Sequence, residues 1–427
     1  MNERRSMNHG QASFLLLIAT GLFGSTHASA ENLPLSLSVI ETLSRDSNLY
    51  RVQPTEYSIA DTVSSTGLKL GLDKSYGRQR YVANFETYAN RYFDSTQLNN
   101  TSYEVNLNIT SEFLDKGLLQ ISGNAKQNLT RFDVASNNNT EQSKNIQTSS
   151  YFDSLISYGG YGSLNPYFDF THLQQGFTYT NSNYQAYNQN SFAIGTNYAI
   201  APQLSVGIGI RHVRGDIDYD ALDSTVIDQM RRNSIDLTST WAATGLSKLT
   251  ARLSATRSKD KYQNSLTDSS ENKGWTGDIN WEYTPQGRMS YTLEFKRDYG
   301  NQGQAGKNID MESLSLFNYN TENNRLSNIL NMKATWEATS KIRLNASASY
   351  TKYHLDVISS ETGASTSSTT NHSRYTIFSV GGQYEFARWA NLYCDIKRIK
   401  RTRDAEYTPF NSTVTACTGQ FNINGMN

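Results

Sequence analysis

The chain has 427 residues with 39 basic and 39 acidic side chains, 37% apolar residues, 11% aromatic residues and two cysteines. Zero formal charge gives no electrostatic case for a nucleic-acid partner, and two cysteines exclude a disulfide framework. Low apolar content with 27 tyrosines and six prolines speaks against an aliphatic packed core and fits long, uninterrupted strands with a wet inner side.

The basic start at Arg4 and Arg5 runs into an apolar segment, Phe14 to Phe23, and then to small residues at Ala28 and Ala30. That order predicts a cleaved signal peptide over 1–30, too short to anchor in a bilayer, with the mature chain over 31–427. Losing Glu3, Arg4 and Arg5 leaves 37 basic and 38 acidic residues. No later stretch approaches the ~20 apolar residues of a transmembrane helix.

From Lys74 onward the sequence reads as a tight turn, a strand, a polar loop and a second strand in which Tyr103, Val105, Leu107 and Ile109 alternate with Glu104, Asn106, Asn108 and Thr110. This rhythm recurs to the C-terminus and gives about 18 strands. Short connections (Ser75–Arg78, Leu114–Lys116, Gly159–Gly162, Ala201–Gln203, Thr244–Ser247, Pro285–Gly287, Thr339–Lys341, Ala387–Ala390) alternate with longer polar ones (Ser136–Lys144, Asp216–Gln229, Gln263–Asn272, Asn301–Thr321, Leu355–Asn371). The expected fold is therefore all-β: a transmembrane antiparallel up-and-down β-barrel in the bacterial outer membrane, with short periplasmic turns and longer external loops. Trp241, Trp281, Trp336 and Trp389 lie beside short turns and mark a periplasmic-side aromatic rim; Trp275 follows a long loop.

Period 2 also assigns faces. Leu204, Val206, Ile208 and Ile210 should meet lipid, with Ser205, Gly207, Gly209 and Arg211 inside; Met289, Tyr291, Leu293 and Phe295 should point out, and Leu344 opposes Asn345 in the same way. The lumen-facing candidates are Glu86, Glu104, Arg211, Asp236, Asp278, Glu282, Glu294, Lys296, Lys333, Arg343, Asp395 and Lys397. Such a mixed row costs little in a hydrated interior and suits polar solutes, whereas a lumen filled with interlocking side chains and loops is the bland reading. In the last strand Thr413, Thr415, Cys417 and Gly419 share a face with Phe421. Cys394 and Cys417 fall opposite each other if their hairpin is symmetric and would then form a disulfide; a one-residue slip would part them.

Chemistry-bearing motifs are sparse. Gly207-Ile208-Gly209 lacks the third glycine of a dinucleotide loop and reads as strand glycines. Of the four mature histidines, His172 and His212 fall in strands and His354 and His372 do not clearly do so, and none neighbours a nucleophile, so each reads as a polar lumen or rim residue. Asp216, Asp218 and Asp220 lack the glycine and glutamate of a calcium loop and read as a solvated acidic loop. The residues thus suggest no enzyme, cofactor or metal; a barrel-embedded hydrolase is the distant rival, tested at His172 and His212.

At Tyr76-Gly77-Arg78-Gln79-Arg80, and in the Trp281–Arg288 and Trp336–Leu344 hairpin cores, the chain resembles EpsL-type outer-membrane proteins of exopolysaccharide biosynthesis, within the broader β-barrel porin families. Asp46–Arg51 is similar to that family's first external turn. The resemblance implies a pore or scaffold for polymer export, with outer-membrane lipid, polysaccharide-secretion proteins and the barrel assembly machinery as partners and no catalytic residues. The alternative is a general diffusion porin for small hydrophilic solutes.

Overall fold

A computed structural model describes residues 34–130, 132, 143–179, 186–221, 224–261, 270–299, 326–359, 367–402 and 409–423. The expected signal peptide, 1–30, lies outside them, as do Asn301–Thr321 and most of Ser136–Lys144 and Gln263–Asn272.

The strands are β1 (Leu35–Asp46), β2 (Asp61–Tyr76), β3 (Gln79–Tyr92), β4 (Asn100–Phe113), β5 (Gly117–Leu129), β6 (Ile146–Tyr158), β7 (Leu164–Phe177), β8 (Ala186–Ala201) and β9 (Leu204–Ala221). They continue as β10 (Ser224–Thr244), β11 (Ser247–Lys261), β12 (Ser270–Tyr283), β13 (Met289–Tyr299), β14 (Leu326–Glu337), β15 (Ile342–Ser359), β16 (Ser367–Ala387), β17 (Ala390–Arg401) and β18 (Phe410–Asn422). Each pairs antiparallel with its neighbours in sequence, and β1 pairs with β18, so the 18-stranded sheet closes on itself. Closure leaves no unpaired edge. That is the condition under which strands can lie in hydrocarbon, where an unsatisfied backbone group costs several kcal/mol.

All eight expected short turns join strands at one end of the barrel. The β2–β3 turn, Gly77-Arg78, shows why the sequence turns there: Gly77 has φ +57°, in the left-handed region that glycine enters without a Cβ clash. Two of the expected long loops are in large part strand. Asp216 pairs with Gln229 and Leu355 with Asn371, because β9 and β10 run on to Ala221 and from Ser224, and β15 and β16 to Ser359 and from Ser367. In both places the backbone pairing runs on past the end of the apolar outer belt. For the same reason the backbones of His354 and His372 are strand, paired with each other.

The exposed apolar side chains form the outer belt. Leu68 and Leu70, Ile208 and Ile210, Ile235 and Leu237, and Phe378 and Val380 all face away from the barrel axis. Trp241, Trp281, Trp336 and Trp389 are also exposed on this face, next to the short turns. Trp281 stacks on Tyr283 at 5.6 Å, and Trp389 on Phe421 at 6.3 Å. These rings make the girdle expected where hydrocarbon gives way to headgroups. Cys394 and Cys417 are directly opposed on the same outer face and are joined by a disulfide, with Cα atoms 4.1 Å apart.

Candidate functional site

The inner wall is built from the residues between those of the belt. By register, all twelve lumen candidates stand on the inward side of their strands. The structure brings several of them together. Lys69, Glu86, Glu104 and Lys126 are successive register partners across β2–β5. Lys69 Nζ lies 2.8 Å from Glu86, and the Tyr88 hydroxyl donates to Glu86 at 2.8 Å. Glu104 accepts from the Asn106 and Asn124 amides, each at 3.1 Å. Two facing carboxylates are thus flanked by a lysine on either side, which offsets their mutual repulsion.

A second constellation crosses β9–β13. Arg211 donates to Asp236 at 2.9 Å and to the Ser254 hydroxyl at 3.3 Å. Arg252 donates to Asp278 at 2.7 Å, and Asp278 has Lys296 as its next register partner. On β13–β15, Asn331 donates to Glu294 at 2.8 Å and accepts from Ser349 at 2.7 Å. Glu282 accepts from the Asn280 amide at 3.0 Å and Arg343 lies 3.4 Å from Glu337, while Lys333 stands on the inward row of β14 and Asp395 and Lys397 on that of β17. Period-2 reading passed over Lys69, Lys126 and Arg252, although each shares the inward parity of its strand; a search for opposite charges on adjacent strands would have found them.

Glycines make room within this wall. Gly195 and Gly209 are register partners, and a Cβ on either would meet the ring or hydroxyl of Tyr167, which lies across them. Gly207-Ile208-Gly209 therefore serves packing inside the barrel.

At the long-connection end the inner side turns apolar. Tyr375, Ile377, Ile399 and Phe410 are buried together, with the Arg51 and Arg401 guanidinium groups 5.5 and 5.3 Å from the Phe410 ring centre. Arg51 belongs to the β1–β2 connection, which is held here by its ion pair to Asp46 at 2.7 Å and by the Asn48 amide donating to the Asn411 carbonyl at 3.1 Å. Leu49, Tyr50 and Val52 of the same connection pack with Leu98 and Phe132, so a small core ties three connections together at this mouth. His172 and His212 lie on the outer wall, with Nδ1 2.9 Å from the Asn190 amide oxygen and 2.8 Å from that of Asn233. Among the described residues no group of three or more potential metal ligands is found.

No protein-family profile matches the chain, and no curated protein does. Among solved structures it is similar to OccK5 (OpdH) of Pseudomonas aeruginosa, at 13% identity and TM-score 0.42, covering 91% of this chain and 98% of that one. It is also similar to OpdO of the same organism, at 11% identity and TM-score 0.45, covering 91% and 97%. A third is the FrpB iron transporter of Neisseria meningitidis, at 9% and TM-score 0.43, covering 89% of this chain and 64% of that one. The fold itself rests on this chain's own strand pairing. A closed antiparallel barrel of 18 strands, apolar outside, girdled by aromatics at one rim and lined inside by paired charges, is a transmembrane β-barrel of the bacterial outer membrane.

Proposed function

We propose that the barrel is a diffusion pore for small hydrophilic solutes. The observation that carries this reading is an inner wall of paired acids, bases and amides on a sheet of 18 strands. Barrels of 16–18 strands enclose more space than their side chains fill and leave an aqueous channel. Alternating signs within hydrogen-bonding reach create no one-signed field, which favours neutral or weakly charged solutes over strongly charged ones. Carboxylates, guanidinium groups, amides and the Tyr88 and Tyr167 rings supply the contacts a sugar-like solute uses. Vesicles containing the purified protein should swell in isotonic solutions of small sugars, at rates that fall with solute size. Vesicles tight to the smallest sugar would defeat the proposal.

A second reading, export of exopolysaccharide, rests on the resemblance at Tyr76–Arg80. These residues form the β2–β3 turn at the short-turn end of the barrel, where Arg78 pairs with Asp115 at 2.6 Å and Arg80 with Asp73 at 2.8 Å. Under that reading, gene deletion lowers extracellular polysaccharide and leaves small-solute uptake intact. The pore reading expects the opposite pair of results.

A further inference from the structure

The β1–β18 seam differs from every pairing of consecutive strands, because no turn or loop joins its two members. Consecutive strands take part of their register from the connection between them, and the seam cannot. β18 is also weakly specified by its own pattern. Its outward row holds Thr413, Thr415, Cys417 and Gly419 before Phe421, while Phe410, Val414 and Ala416 stand on the inward row. β1 adds little, with Glu41 and Arg45 outside and Ile40 inside. Packing of Phe410 and Val414 with Ile377 and Ile399 favours the observed facing at one end of β18. A two-residue slip, however, leaves every side chain on its own face, so the apolar pattern does not oppose it. Nor do the eight residues between Arg401 and Phe410 fix the hairpin as a two-residue turn does.

The Cys394–Cys417 bond supplies what the pattern lacks. β17 follows the short Arg388-Trp389 turn and carries Leu392 and Ile396 outside against Asp395 and Lys397 inside, so its own register is well set. With Cys417 held opposite Cys394, that register passes to β18 and the side chains of the seam meet. Ser38 donates to the Asn422 amide oxygen at 2.7 Å, and the Thr42 and Thr418 hydroxyls share a hydrogen bond at 2.9 Å. At the far end the Ser47 amide donates to the Thr413 carbonyl at 3.0 Å, and the Thr413 amide to the Ser47 hydroxyl at 2.8 Å. Any slip of β18 parts all of these. The cysteines are 23 residues apart, against 384 for Ser38 and Asn422, so the hairpin closes at a lower entropic cost than the seam.

We infer that the Cys394–Cys417 bond is an assembly staple, made in the hairpin before insertion, which sets the register in which β18 closes on β1 and makes closure depend on the redox state of the chain. Its making transfers two electrons and two protons from the two thiols to the disulfide of a periplasmic oxidant, which leaves as a dithiol. That exchange needs a thiolate in contact with the oxidant. In the finished barrel Cys417 faces outward, four residues from Phe421, which stacks on Trp389 at the short-turn rim. Four steps are about 14 Å of strand, or roughly 10 Å of depth at a tilt near 40°, which sets the sulfurs in hydrocarbon where a thiolate is strongly disfavoured. The bond is therefore made before insertion and shielded after it. None of this depends on whether the lumen conducts.

The test follows purified full-length protein, oxidised or reduced, as it folds from urea into lipid vesicles, read by the gel mobility of the unheated barrel. A cross-link that acts before closure changes the folding rate, whereas one that only braces the finished barrel changes the unfolding rate. The reduced chain should therefore fold at least about tenfold more slowly and unfold at nearly the oxidised rate. Equal folding rates with faster unfolding would overturn the inference. If the reduced chain forms no barrel, re-oxidation in urea should restore folding, and failure to restore it would place the defect elsewhere and overturn the inference too. Register is read in the Cys394→Ser/Cys417→Ser background by oxidising added cysteine pairs after folding. Thr42→Cys should cross-link to Ala416→Cys or Gln420→Cys, the partners of a two-residue slip, as well as to Thr418→Cys; cross-linking to Thr418→Cys alone would show that the seam finds its register unaided. In the folded, oxidised barrel the bond should resist a membrane-impermeant phosphine that cleaves it in urea, and cleavage there would refute its shielded placement.

Discussion

Leu237 on β10 is the sharpest probe of the lipid-facing wall. It is 58% exposed, its register partners Ile208 and Leu253 are similarly bare, and it lies midway between Trp241 at the short-turn rim and Asn233 in the outer polar row. The eight residue steps from one marker to the other cover about 27 Å of strand at ~3.4 Å each, or roughly 20 Å of depth at a tilt near 40°. Leu237 therefore sits close to the bilayer midplane. Leu237→Arg should cost about 2–4 kcal/mol, the range for a cation at that depth on a barrel's outer face. Leu344, opposite Trp336 at the rim, should cost only about 0–1 kcal/mol as Leu344→Arg. Thr240→Arg, on the inward row between Ser205 and Thr250, should be tolerated because its head reaches water. Reversible urea unfolding in lipid vesicles measures all three. Equal losses for Leu237→Arg and Thr240→Arg would refute the facing, and equal losses for Leu237→Arg and Leu344→Arg would refute the depth assignment.

Further perturbations test the inner wall and the seam. Asp236→Ala leaves the Arg211 guanidinium, only 14% exposed, with the Ser254 hydroxyl alone; stability should fall by about 1–3 kcal/mol and ion selectivity should move toward anions, read from the reversal potential. Gly209→Val should destabilise by about 1–3 kcal/mol, and a double-mutant cycle with Tyr167→Ala should give a non-zero coupling, whereas strict additivity would mean the ring does not occupy that space. The denatured, unreduced chain should expose no reactive thiol and the reduced chain two; Cys417→Ser should cost about 2–4 kcal/mol by releasing the β17–β18 pair.

The barrel was legible in the sequence wherever one face meets lipid and the other water. Leu204 to Arg211 reads unambiguously, because a one-residue slip would reverse every side chain, and the structure places those residues in and out as the alternation predicts. Legibility failed where strands leave the bilayer. Around Asp216–Gln229 and Leu355–Asn371 the polar composition reads as loop, whereas the backbone stays paired to Ala221 and Ser359 and is paired again from Ser224 and Ser367. Depth was also invisible: Leu344 reads like Leu237 in a period-2 pattern, and only the ladder shows that one faces Trp336 at the rim. The inner charges were found by parity, but pairs such as Lys69 with Glu86 and Arg252 with Asp278 join different strands and depend on register.

The central claim is that water and small solutes fill a continuous channel through the 18-stranded barrel. Single-channel recording of the purified protein in a planar bilayer tests it most directly. The account predicts discrete, ohmic conductance steps with weak ion selectivity, partly blocked by small sugars added to either side. Insertion of folded protein, verified by its protection from protease in the bilayer, without any conductance step would contradict it.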